Sequence, residues 1–141
     1  MSYIKLNVPV EQAAAAAYEA GHYIEAIQLL HGFIENQARS YLMLIGNVHF
    51  GAVQAETWDV ADKLPLHHVL TCLYVLNQLT ANEYTEFGEL NALRNRIVHQ
   101  YFKEPYEGDY RGIPRDLFDG VFQKSIKNAS YFTRKCEEIV G

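Results

Sequence analysis

Residues Tyr23 to Ile45 read YIEAIQLLHGFIENQARSYLMLI. Apolar side chains fall at positions 23, 26, 27, 30, 33, 34, 41, 42 and 45, a recurrence at three- and four-residue spacing. That period places them on one buried face of a single long helix. Upstream, Asn7-Val8-Pro9 offers a cap-like Asn and an early Pro. The following stretch runs through Ala13 to Ala17 and Tyr18 to a helix-stopping glycine, Gly21, which predicts a first helix joined to the second by a tight turn. The two form a helical hairpin.

Downstream, GNVHFGAVQAETWDVADK from Gly46 to Lys63 has no clean period and is read as a long connection with at most a short helical turn. Pro65 opens a third helix, PLHHVLTCLYVLNQL, expected to end near Thr80. Thr80-Ala81-Asn82-Glu83 fits a capping box, in which the hydroxyl and the carboxylate each satisfy a free backbone N–H. A fourth helix is therefore expected from there to about Phe102. Pro105, Gly108 and Gly112 mark a polar loop, and Pro114 opens a last amphipathic helix through Leu117, Phe118, Val121, Phe122, Ile126, Tyr131 and Phe132. Short connections make sequence neighbours pack side by side. The expected fold is all-α, an antiparallel up-and-down bundle of four to five helices.

The 141 residues are 49% hydrophobic and 21% charged, which suits one domain, 1–141, with one core. No apolar run approaches the roughly 20 residues that cross a bilayer, and MSYIKLNVPV lacks a basic start followed by an apolar stretch, so a cytoplasmic chain with no membrane partner is expected. The two cysteines, Cys72 and Cys136, form no CxxC and suit a reducing compartment. The net charge is −5, but residues 1–93 carry −7 and residues 94–141 carry +2. A locally positive face toward a phosphate backbone is compatible with that split.

The chemistry concentrates in LRNRIVHQYF, residues 93 to 102. On a helix, Phe87, Leu90, Leu93, Ile97 and Tyr101 share an apolar arc, and Arg94 falls inside it. Three and four residues away stand Leu90, Asn91, Ile97 and Val98, none of them acidic. A guanidinium so placed needs a distant partner: another helix, a second subunit or a phosphate. His99 lies about 140° around the helix from Arg94, with Asn95 on its own side. One copy cannot gather Arg94 and His99 on a narrow stripe, but the two can border one groove if a second helix, or a symmetry-related copy of the same helix, packs between or across them.

Arg94-Asn95-x-x-x-His99 on a late helix of a small bundle resembles the HEPN motif. The longer string Arg94 to Tyr101 resembles the Arg-x4-His-x-Tyr version found in HEPN toxins paired with small nucleotidyltransferases. The resemblance is loose from about Tyr18 to Tyr131 and tight only at 93 to 102. It implies a homodimer with the motif helices facing each other and, in active members, a metal-independent endoribonuclease, such as the toxin of a toxin–antitoxin pair. Arg94 and His99 are then the catalytic residues. His99 moves the proton at a ribose 2′-hydroxyl or a leaving oxygen, and Arg94 neutralises charge on the phosphorane-like transition state. Asn95, Arg96 and Tyr101 are supporting residues: Asn95 orients His99 or the phosphate, and Tyr101 contacts substrate or is modified by the partner enzyme. The implied partners are RNA, a nucleotidyltransferase or an antitoxin protein. Inactive family members serve as companion or substrate-binding subunits, so the alternative is a non-catalytic companion of a nucleotidyltransferase or a helical adaptor.

The reading requires no cofactor and no metal. His68 and Cys72 stand four apart on one helical face but have no second pair at metal spacing. No glycine-rich phosphate loop is present. His22 and His31 belong to the hairpin, with Glu35 as an ordinary surface partner of His31. AYEAGHYIEAIQLL resembles one tetratricopeptide hairpin, but an array needs further copies, and none follows. Tyr106 and Tyr110 are expected to be exposed in the loop EPYEGDYRG.

Overall fold

The computed structural model describes residues 2–101 and 113–141, and of Gln100 and Tyr101 the backbone only. The loop tyrosines Tyr106 and Tyr110 and the side chain of Tyr101 lie outside the described residues. Every regular element described is a helix: α1 (Val10–Glu19), α2 (Tyr23–Phe50), α3 (Gln54–Ala61), α4 (Leu66–Val75), α5 (Ala81–Tyr101), α6 (Arg115–Asn128) and α7 (Tyr131–Val140). The all-α bundle expected from the sequence is the fold observed. It exceeds five segments because the Gly46–Lys63 connection contains α3 and because the last helix is split into α6 and α7.

The hairpin turn is set by Gly21, whose φ of +88° is a left-handed conformation open to glycine. His22 N–H bonds to Ala17 O at 2.8 Å and Gly21 N–H to Tyr18 O at 3.0 Å, satisfying the last carbonyls of α1. Asn7 does not cap α1; Pro9 occupies the N-cap position and no side chain bonds there. The second helix does not stop at Gly46 but continues to Phe50 and ends at Gly51, φ +69°. Gly46 stays helical because α3 packs over it, with Ala52 and Thr57 each 3.9 Å from where a Cβ would stand. The third helix ends at Val75, short of Thr80, since Asn77 takes a left-handed φ of 59° and Gln78 N–H turns back to Leu73 O at 2.8 Å. Asn is among the few residues other than glycine that adopt this region readily.

The capping box of α5 forms as expected. Glu83 N–H bonds to Thr80 Oγ1 at 3.1 Å, and Thr80 N–H bonds to Glu83 Oε1 at 2.8 Å. The break between α6 and α7 leaves no trace in the apolar spacing, because buried positions Val121, Ser125, Ala129 and Phe132 stay in step across it. Polar ties flank it instead: Asn128 Nδ2 donates to Glu86 Oε2 at 2.6 Å and Ser130 Oγ to Glu11 Oε1 at 2.9 Å.

The buried face of α2 touches all six other helices. Ile27, Ile34, Ala38, Tyr41 and Ile45 meet Leu66, Val69, Leu70 and Leu73 of α4, Phe87, Leu90, Leu93 and Ile97 of α5, and Phe118, Val121 and Phe132 of α6 and α7. Phe132 is fully buried, 4.8 Å from the Phe87 ring and 6.2 Å from that of Tyr41. Truncation there empties the junction of three helices, and Phe132→Ala is expected to cost about 3–5 kcal/mol in urea unfolding. A loss below about 1 kcal/mol would place the core elsewhere.

Candidate functional site

Helix α5 carries its functional side chains at the edge of that core. Phe87, Leu90, Leu93 and Ile97 are buried, as the period of the sequence requires, and they fix the helix rotation. Ala92, Asn95 and His99 then fall on the exposed side at three- and four-residue spacing, while Asn91 and Arg94 are half-buried on the rim between the two faces. Arg96 is half-buried, roughly 160° from Arg94.

Arg94 is the odd member of the set. Its Nη1 donates to Asn95 Oδ1 at 3.3 Å. Its Nε is the one buried side-chain nitrogen or oxygen without a hydrogen-bond partner among the described residues. Leaving a buried donor unmatched costs about 1–3 kcal/mol, and more for a charged group. Other arginines avoid this. Arg39 donates from Nε to Leu64 O at 2.6 Å and pairs with Glu35 at 3.3 Å, and Arg115 Nε reaches Asp119 at 3.1 Å. Among the described residues no carboxylate pairs with Arg94.

Across from Arg94, α2 supplies a residue whose place the sequence reading had wrong. His31 is buried, 4% exposed, and its Nε2 donates to Asn91 Oδ1 at 3.0 Å. It is no surface partner of Glu35. Position 31 follows Ile27 by four and precedes Ile34 by three, which is core spacing, and Asn91 lies three before Arg94 and four before Asn95. Those spacings were the available signal. Glu35 is engaged elsewhere: its Oε2 accepts Leu66 N–H at 2.9 Å at the start of α4, and its Oε1 faces Arg39. A carboxylate is favoured there by the free N–H groups and the positive end of the helix.

His31 titrates below the ordinary histidine range. Burial is the largest cause, and the positive charges of Arg94 and Arg39 add to it; the Asn91 hydrogen bond and Glu35 oppose it. The imidazole is therefore neutral at pH 7. A neutral group on α2 therefore stands within reach of the Arg94 charge and does not cancel it from this side.

The structure thus joins Arg94 with Asn95, and His31 with Asn91 near enough for the charge of Arg94 to act on the imidazole, and it does not join Arg94 with His99. His99 is exposed in the last turn of α5 and makes no hydrogen bond to a described residue. Asn95 faces Arg94 through its Oδ1 rather than His99. A cleft of about 660 Å³ is lined by Gly21 to Glu25, Ile113, Arg115 and Phe118, and a groove of about 580 Å³ lies between α2 and α3; neither is lined by Arg94 or His99. Among the described residues no group of three or more His, Cys, Asp or Glu is placed to hold a metal ion, and His68 and Cys72 are both exposed. No helix described is long and apolar enough to cross a membrane. No family model, curated protein or solved structure matches the chain.

The His31 environment has a measurable consequence. Its pKa is lower folded than unfolded, where it is about 6.5. Between those two values the unfolded chain binds a proton that the native one does not. Stability therefore falls as pH is lowered from about 6.5, by at most about 1.4 kcal/mol per pH unit from this group. Urea unfolding between pH 7.5 and 5.5 is expected to show the decline, and His31→Gln, which retains an amide to bond Asn91 but does not titrate, is expected to flatten it. An unchanged slope in the variant would assign the pH dependence to other groups.

Proposed function

We propose that this chain is a HEPN-like, metal-independent endoribonuclease that works as a two-fold homodimer through α5, in the manner of the toxin of a toxin–antitoxin pair. The observation that carries the reading is the partly buried Arg94, which has no ion-pair partner among the described residues, on the helix that also holds Asn95 and the exposed His99. Within a packed bundle an arginine ordinarily closes an ion pair. One that faces Asn95 and neutral His31 instead keeps its charge for a group that arrives from outside, and a phosphodiester is an anion whose geometry suits a planar guanidinium.

Packing two copies of α5 across the Ala92–Asn95–His99 face supports the rest. Ala92 permits close approach of the two helices, and two-fold symmetry sets a His99 and an Arg94 from each protomer around one groove. In that groove the ribose 2′-oxygen attacks the neighbouring phosphorus while one imidazole takes its proton. The bond from phosphorus to the 5′-oxygen breaks, and the second imidazole, protonated, supplies that oxygen with a proton. The products are a cyclic phosphate and a 5′-hydroxyl. Imidazole titrates near neutrality and serves in either role. Arg94 gains most when negative charge builds on the pentavalent phosphorus, which is the stage at which binding lowers the barrier.

Arg94→Ala and His99→Ala are each expected to lower RNA cleavage by at least about a hundredfold, with chelator making no difference. Thermal melts of both variants are expected to stay close to the parent, because neither side chain closes an ion pair with a described residue or fills the core. Sedimentation at micromolar concentration should give a dimer. Folded variants that still cleave, or a clean monomer, would remove the composite site. A dimer that binds RNA without cleaving it would point to the companion subunit of a nucleotidyltransferase.

A further inference from the structure

Residues 2–9 are neither helical nor packed. Ile4, Leu6 and Val8 are 105%, 53% and 46% exposed. Their spacing is two, and Tyr3, Lys5 and Asn7 alternate with them. Strict alternation is the pattern of an extended segment with one face meant for an apolar surface. In a bundle whose other segments carry a period near 3.6, this one pattern meets nothing that matches it.

An apolar surface of suitable kind stands open in the same molecule. The groove between α2 and α3, about 580 Å³, is lined by Leu42, Met43, Val53, Val60, Ala61 and Leu64, with Glu56 at its edge. Around it Phe50, Val53 and Val60 are exposed at 71%, 58% and 64%. Contiguous apolar surface of this kind marks interaction sites. Helix α3 with its cap adds Glu56, Asp59 and Asp62, all exposed, whereas the only charged side chain in residues 2–9 is Lys5. The charges are complementary.

The arm cannot fill the groove of its own subunit. Ala14 packs with Leu30, so in the antiparallel hairpin Val10 stands near Ile34. From there α1 and α7 lie end to end on one side of α2: Glu11 accepts from Ser130, and Gln37 meets Thr133 and Cys136. Gly46, in the groove, is nine residues from Gln37 and hence about 180° around the helix. The path from Val10 runs about 12–18 Å along α2 and about half-way around a helix some 10 Å across. Eight extended residues reach roughly 26 Å, so only the tip would arrive.

We propose that the N-terminal arm, residues 2–9, docks its Ile4–Leu6–Val8 face into the α2–α3 groove of a second copy of this chain, with Lys5 toward Glu56 and the acids of α3. The surface is separate from the α5 face and does not depend on the ribonuclease reading.

Trp58, the only tryptophan, sits on α3 and is 45% exposed; it lines the neighbouring hollow, which shares Met43 with the groove, so its emission reports on α3 beside the docking surface without reference to RNA. The native protein is expected to show a blue shift of Trp58 emission that grows with protein concentration. The double variant Ile4→Asp/Leu6→Asp should lose that shift and recover it, saturably, on addition of a synthetic peptide of residues 2–9. Adding Val60→Asp, an exposed position that leaves the core intact, should weaken the peptide about tenfold or more by setting a charge against its apolar face. A shift independent of protein concentration but lost in the double variant would place the arm in its own subunit and overturn the proposal. So would a peptide that leaves Trp58 unmoved, which would mark the groove for a partner of different sequence, or a scrambled peptide that acts equally well.

Discussion

The buried face of α2 is the constraint on which the remaining structure rests. It is the one helix that contacts every other, and its apolar positions recur over 28 residues without a polar interruption except His31. Once that face is buried, α5 has one rotation that puts Phe87, Leu90, Leu93 and Ile97 inside. The positions of Asn91, Arg94, Asn95 and His99 are then consequences. Arg94 cannot turn outward without lifting Leu90 and Leu93 from the core, and burial of such side chains stabilises by about 1.5–3 kcal/mol each. That exceeds what an unmatched guanidinium nitrogen costs, so the packing holds the arginine in a position it would not choose alone.

The same balance explains why the polar contacts at the rim are neutral. A carboxylate at position 31 would be attracted to Arg94, but in the proposed ribonuclease it would also offset the charge offered to an incoming anion. Histidine fills the space, bonds Asn91 and, being buried among Arg94 and Arg39, stays unprotonated. Glu35, one turn further along α2, is close enough to act on His31 but is committed to Leu66 N–H and Arg39. The cluster is thus organised so that its acid faces α4, while no carboxylate among the described residues faces Arg94. Sites that bind charged ligands commonly sacrifice stability in this way.

How much of this the sequence disclosed follows from the kind of signal each feature has. Helix α5 was legible because the Thr80–Glu83 capping box and the apolar period agree, and the position of Arg94 on the apolar arc followed from counting residues alone. The end of α2 was not, since Gly46 looks like a stop and is helical only because α3 lies against it. The α6–α7 break was invisible because Ser125, Ala129 and Phe132 keep the period across it. His31 was misplaced for a different reason. Its local spacing put it in the core, but the presence of Glu35 four residues on suggested an ordinary surface pair. The Asn91 contact lies 60 residues away, where no local pattern reaches.

The absence of contact between Arg94 and His99 in one subunit is a geometric matter rather than an accident of side-chain placement. Five residues of α-helix turn through about 140°, so the shared apolar arc that brings Arg94 inward sends His99 outward. No rotamer repairs that separation, and no other helix described crosses over the exposed side of α5 to fold back on both. Among the described residues nothing closes a groove over the two groups, and the proposed dimer assigns that role to a second subunit. In the proposed dimer the facing copy of α5 would supply the same two groups again. By symmetry each arginine would then stand across from the partner's histidine, with the small side chain of Ala92 leaving room between the helices. An unrelated partner protein would have to provide its own proton donor and would leave one His99 without a role. The spacing of the motif, with Arg and His on opposite shoulders of one helix, suits the proposed arrangement in which two such helices meet.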